Sequence, residues 1–152
     1  MTTTTLSHKQ LAVNSFNAVW DLLDLPQRTT EEEEKMIHLA HTSFWHWTQV
    51  VDHTPQNVSI GYWQLSRVYA FAKLGERALY FGEQCLEVSL KNEIEPFYIG
   101  YAYEALCRAN ALLEKDELAK DQFNLAMDYA QLVKVDSAKE SLIKDLNSIF
   151  SI

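Results

Sequence analysis

Glycine and proline are scarce in this chain of 152 residues, which holds four of the first and three of the second. Gly61, Gly75, Gly82 and Gly100 stand singly, which excludes the glycine-rich loops that cradle nucleotide phosphates. Cysteine is scarcer still. Cys85 and Cys107 fall inside predicted helices where a small buried residue is wanted, so they are expected as reduced packing residues rather than a disulfide or metal pair. No segment is apolar enough to span a bilayer, and Met1-Thr2-Thr3-Thr4-Thr5 has neither the basic start nor the apolar run of a leader. A cytoplasmic protein without a membrane partner is the expectation. The basic residues form no cluster and the net charge is −8, so the chain repels a phosphate backbone and nucleic acid is not an expected partner. Repeated β-branched alternation between turn residues is also missing, which argues against strands.

What the chain does have is helical periodicity throughout a sequence that is 47% hydrophobic. Residues 1–6 are expected to be a disordered tail and residues 7–150 one helical domain. Leu11, Phe16, Val19, Trp20 and Leu23 place a first helix from Ser7 to about Asp24, ended by Pro26. A second runs from Thr30 to about Asp52, with Ile37, Ala40, Phe44, Trp47 and Val51 as its apolar contacts. Glu31-Glu32-Glu33-Glu34 behind Thr29-Thr30 is an N-cap followed by acids in the first turn, not an acidic interaction tail. Thr54-Pro55 opens a third helix, which Gly75 is expected to end; a fourth covers about Glu76 to Lys91. Pro96 opens the fifth, a short turn at Lys115-Asp116 leads to the sixth, and Ser137-Ala138-Lys139-Glu140 reads as the capping box of a seventh. Short connections force antiparallel neighbours, giving helix pairs at about 7–52, 55–91 and 96–132 and a capping helix at 137–149.

The same packing stripe heads the second helix of each pair. It appears as Ala40-x-x-x-Phe44-x-x-Trp47, Ala78-x-x-x-Gly82-x-x-Cys85 and Ala119-x-x-x-Phe123-x-x-Ala126. The third and fifth helices align at an offset of 41 residues, pairing Tyr62 with Tyr103, Leu65 with Leu106, Ser66 with Cys107 and Arg67 with Arg108. Such self-similarity marks stacked repeats. On these residues the chain resembles the tetratricopeptide repeat, whose first helix carries a bulky residue, leucine, a small residue and an aromatic, and whose second carries alanine, an aromatic and alanine. Tyr62, Leu65, Ser66 and Tyr69 lead to Ala78, Gly82 and Cys85; Tyr103, Leu106 and Cys107 lead to Ala119, Phe123 and Ala126. Asn110 and Gly82 depart from the pattern, and the period exceeds the family's 34 or so. Residues 55–132 carry the resemblance, and 7–52 match only in their second helix. Trp63 through Leu86 and Tyr101 through Arg108 are also similar to a group of uncharacterised bacterial proteins with a tetratricopeptide-like fold, a likeness that implies no activity. The fold implied is all-α, a right-handed superhelical stack of about three antiparallel helix pairs plus a C-terminal capping helix.

In that family the first helix of each pair lines a concave groove. The resemblance therefore places Trp63, Arg67 and Ala70 in the groove, with Tyr101, Glu104, Arg108 and Ala111 beside them. Arginine next to tryptophan and tyrosine can clamp a carboxylate or phosphate while the aromatics bury ligand surface. Arg67 and Glu104 can equally form a salt bridge between repeats, with Trp63 in the core. The family's clamp for peptide C-termini uses lysine and asparagine at these positions; Trp63 and Glu104 do not match it, so a chaperone clamp is not implied. In His38-x-x-His41-x-x-x-Trp45-His46-Trp47, His38 and His41 share a face without a further ligand, so no metal is expected. His46 points to a groove or to solvent and joins the binding candidates.

An enzyme would combine His41 or His46 as a base with Glu104 and the arginines, but no set of catalytic roles can be assigned. The expected job is non-catalytic: holding a protein or peptide partner in the concave groove, without a cofactor, or pairing as a homodimer. The alternative is a sensor of a small ligand.

Overall fold

The computed structural model describes residues 5–150. Among the described residues seven helices follow one another: α1 (His8–Leu23), α2 (Thr30–Gln49), α3 (Pro55–Phe71), α4 (Gly75–Lys91), α5 (Pro96–Leu112), α6 (Asp116–Ala130) and α7 (Asp136–Ser148). No strand occurs among the described residues. Local chemistry fixes the starts of the first three. Ser7, Thr29 and Thr54 each accept from the third residue of their helix, and Gln10, Glu32 and Asn57 return the bond to the cap amide. Each such cap contributes about 1 kcal/mol.

The helices pack as antiparallel pairs, α1 with α2, α3 with α4 and α5 with α6, and α7 lies across α5 and α6. α3, α5 and α7 stand side by side. α1 extends that row through Gln64, whose amide donates to the Phe16 carbonyl, and through Trp20, whose ring lies 5.8 Å from that of Trp63. The small-residue stripe is what lets the pairs close: Ala40, Ala78, Cys85, Ala119 and Ala126 are all buried. Ala78 then packs with Tyr69, Ala70 and Ala109, and Ala126 with Leu142 and Leu146 of the last helix. The last helix presses so closely that a Cβ on Gly100 would lie 2.6 Å from Leu142.

The offset of 41 residues extends to the backbone. α3 and α5 both open on proline, and after each the chain turns through one left-handed residue, Lys73 (φ 63°) and then Glu114 (φ 59°). The turn closes with the same bond, Leu74 N–H to the Tyr69 carbonyl and Lys115 N–H to that of Asn110, both 2.9 Å. Gly75 is therefore not the exit of α3 but the first residue of α4; its use is close approach, since a Cβ there would lie 2.9 Å from Leu113. Two other expectations fail at element ends. Residues 51 and 52 lie beyond α2, and Val51 is fully exposed rather than an apolar contact. Ser137 is no cap, because α7 already starts at Asp136 and Lys139 N–H bonds the Val135 carbonyl. Of the expected tail, residues 1–4 lie outside the described residues.

Candidate functional site

Glu104 is a carboxylate with no exposure at all, in the middle of α5. Such a charge is tolerable only where donors replace water. Arg67 of α3 donates one bond to it (2.7 Å), Arg108 two (2.9 and 3.1 Å), and the Trp63 indole N–H one (3.1 Å). Burial alone would raise its pKa, but Arg67 and Arg108, with the bonds from Trp63 and Arg108, outweigh burial and hold it below the ordinary range. Helix periodicity puts Trp63 and Arg67 on one face of α3, and Glu104 and Arg108 on one face of α5. The guanidinium of Arg67 also lies over the Trp63 ring at 4.9 Å. The salt bridge between α3 and α5 is thus present, and it engages both arginines, though Arg67 Nε has no partner among the described residues.

α7 closes the network from the other side. Arg108 donates to the Asp145 carbonyl and to the Ser148 hydroxyl, each 3.1 Å away. Tyr101 donates its hydroxyl to Asp145 Oδ2 (2.7 Å), while Arg67 stays 3.7 Å from that oxygen. Burial, then the bond to Asp145, pushes the Tyr101 phenol up, so it stays a neutral donor.

Above this floor opens a cleft of 390 Å³ between α1, α3, α5 and α7. Trp20, Trp63, Phe97, Tyr98 and Tyr101 wall it, and Asp145 stands at its edge. Ile60 is shared with a neighbouring hollow of 180 Å³ that Phe16 and Trp47 line. Phe97 and Tyr98 are shared with a third of 750 Å³, which runs past Leu132 and Val135.

Five of the six residues picked from the sequence therefore meet: Trp63 and Tyr101 as walls, Arg67, Glu104 and Arg108 as the floor. His46 stands apart. Its Nδ1 lies 2.9 Å from that of His8, and the Trp45 ring packs 5.0 Å away. Trp20, Phe97, Tyr98 and Asp145 complete the cleft and are not among the residues the sequence picked out.

The remaining chemistry-bearing groups have structural partners. His41 Nε2 is 2.8 Å from the Tyr69 hydroxyl, and its pKa is lowered by burial, then by His38 and Arg77. Cys85 and Cys107 are free and buried; burial pushes each thiol up to about 12. Among the described residues no group of three or more His, Cys, Asp or Glu is placed to hold a metal ion, and no helix is long and apolar enough to cross a membrane. No family model matches the chain, and no curated protein or solved structure does either.

Proposed function

We propose that this chain is a non-catalytic binding module, tetratricopeptide-like in architecture, that holds an extended segment of a partner protein along the face of α1, α3, α5 and α7. The observation that carries the reading is that three hollows adjoin one another, the first two sharing Ile60 and the last two sharing Phe97 and Tyr98 in their linings. A row of apolar depressions suits a chain with side chains at intervals better than it suits one compact ligand. The matched backbone of the two hairpins supports the repeat architecture. Trp63 and Tyr101 contact the partner in this reading. Arg67, Glu104 and Arg108 act beneath them by fixing those rings, and His46 is left out. The setting stays the cytoplasmic one expected from the sequence, without nucleic acid, cofactor or membrane.

A photo-reactive phenylalanine at Tyr98, compared with one at the exposed Leu118 of α6, tests this in cells of the native host. The expected result is a discrete cross-linked partner from position 98 alone. Equal capture from both positions, or none from 98, contradicts the groove reading. The central cleft by itself has the size of a small-molecule site, which keeps a ligand sensor as the second reading. A metabolite that raises the melting temperature where peptides do not would favour the sensor.

A further inference from the structure

The charge in the central cleft has one sign. Two arginines lie nearby, yet neither lines it: both bond Glu104 beneath the cleft, and Arg67 also stands 3.7 Å from Asp145 Oδ2 as its ion-pair partner, leaving Oδ1 to the cleft. Among the described residues the only charged side chain on the lining is that of Asp145, one-third exposed. Tyr101 engages Asp145 Oδ2, and among the described residues Oδ1 has no hydrogen-bond partner. Around this open acceptor stand Trp20, Trp63, Phe97, Tyr98 and Tyr101. Aromatic faces carry negative potential and attract cations, most strongly where water is excluded. An anion entering here would meet ring faces and a carboxylate, and no cation lines the cleft among the described residues. A cation would meet both favourably, and the protein's net charge of −8 adds to the attraction.

We infer that the cleft is a pocket for a basic side chain: a lysine or arginine of the partner segment seats its methylenes on the aromatic walls and its charge on Asp145 Oδ1. This rests on the groove reading above and specifies its anchor. The flanking hollows, lined by Phe16 and Trp47 on one side and by Leu132 and Val135 on the other, then take apolar neighbours of that residue. The recognised motif is a basic residue between hydrophobic ones. Charge complementarity selects a basic protein segment over an acidic one.

The test is selection of a random peptide library displayed on phage against the whole protein, followed by titration of the recovered peptides. The expected result is enrichment of peptides with a lysine or arginine flanked by apolar residues. Asp145→Asn can still accept from Tyr101, and is expected to weaken those peptides by about tenfold or more, the worth of a charge-assisted bond. Replacing the basic residue by norleucine should cost the same and make the peptide insensitive to Asp145→Asn. Ser141→Asp, one turn before Asp145 on the exposed side of the cleft, keeps the test alive if Asp145→Asn unfolds, and should tighten the basic peptides. Peptides without basic residues that still lose binding in Ile60→Glu would overturn the cation pocket and leave the groove standing. Failure to recover any peptide sensitive to Ile60→Glu would overturn both.

Discussion

Trp63 and Glu104 stand 41 residues apart, at matching positions of α3 and α5, and the indole of the first donates to the carboxylate of the second across 3.1 Å. Arg67 and Arg108 are related by the same offset, and they converge on that carboxylate too. Had tryptophan occupied both positions, two arginines would face each other with only Asp145, 3.7 Å from Arg67, to balance them. Glutamate in α5 at the position matching Trp63 of α3 makes the two helix faces complementary. It also withdraws both arginines from the cleft, leaving Asp145 to set its charge.

The first prediction concerns Glu104→Gln. Neutralising the carboxylate leaves two largely buried guanidiniums with only the more distant Asp145, 3.7 Å from Arg67, as counter-charge, which costs about 3 kcal/mol. Trp63→Phe removes one neutral donor from the same group and should cost only about 1–2 kcal/mol, through the lost bond and some packing. Urea denaturation of both variants gives the comparison. Equal losses would mean that the charge is not what the network rests on.

Glu104 also makes stability depend on pH in a defined direction. Its pKa is depressed in the folded state, so its contribution is complete above the unfolded glutamate value, about 4.3. That contribution is lost as the pH falls through the lower, folded value. The gap in stability between wild type and Glu104→Gln should therefore be constant at neutral pH and shrink only below the ordinary carboxylate range. A gap that closes between pH 7 and pH 5 would contradict the depressed value.

Lys73 and Glu114 take the left-handed conformation that side chains with a Cβ adopt at a cost. Glycine at either position relieves that cost, offset in part by the greater freedom of the unfolded chain. Lys73→Gly and Glu114→Gly should each stabilise the fold by about 0.5–1 kcal/mol, and by similar amounts because the two turns are equivalent. Thermal denaturation measures both. Opposite signs would show that the turns differ.

The thiols provide a check on packing. Cys85 and Cys107 have no exposure, and burial raises both pKa values to about 12. A thiol-reactive dye should label neither in the native protein and both in denaturant. Rapid labelling of either under native conditions would mean that its hairpin opens locally.

The sequence carries the fold because its signals are local or repeated. Thr29 and Thr54 announce helix starts through a hydroxyl and an acceptor three residues on. Arg67 and Glu104 are legible as a pair because the offset of 41 aligns their helices. Where the deciding contact comes from another element, the signal vanishes. Gly75 has the composition of a turn, but it is required by Leu113 at the end of α5. Ser137-x-x-Glu140 has the spacing of a capping box, yet α7 begins one residue earlier. Asp145 reads as a polar residue off the apolar face of the last helix. Only the angle at which α7 crosses α5 brings it to Tyr101 and makes it the charge of the cleft. Trp20 likewise joins the wall because α1 lies beside α3, a placement no periodicity encodes.

The central claim is that a partner segment enters the cleft walled by Trp20 and Trp63. Indole N–H signals in a nitrogen–proton correlation spectrum test it most directly, since the four tryptophans report from different places. On titration with a basic peptide recovered from the library, the Trp20 and Trp63 signals are predicted to shift together, with Trp45 on the outer face of α2 unmoved. Movement of Trp45 while Trp20 and Trp63 stay fixed would place the binding surface elsewhere and contradict the account.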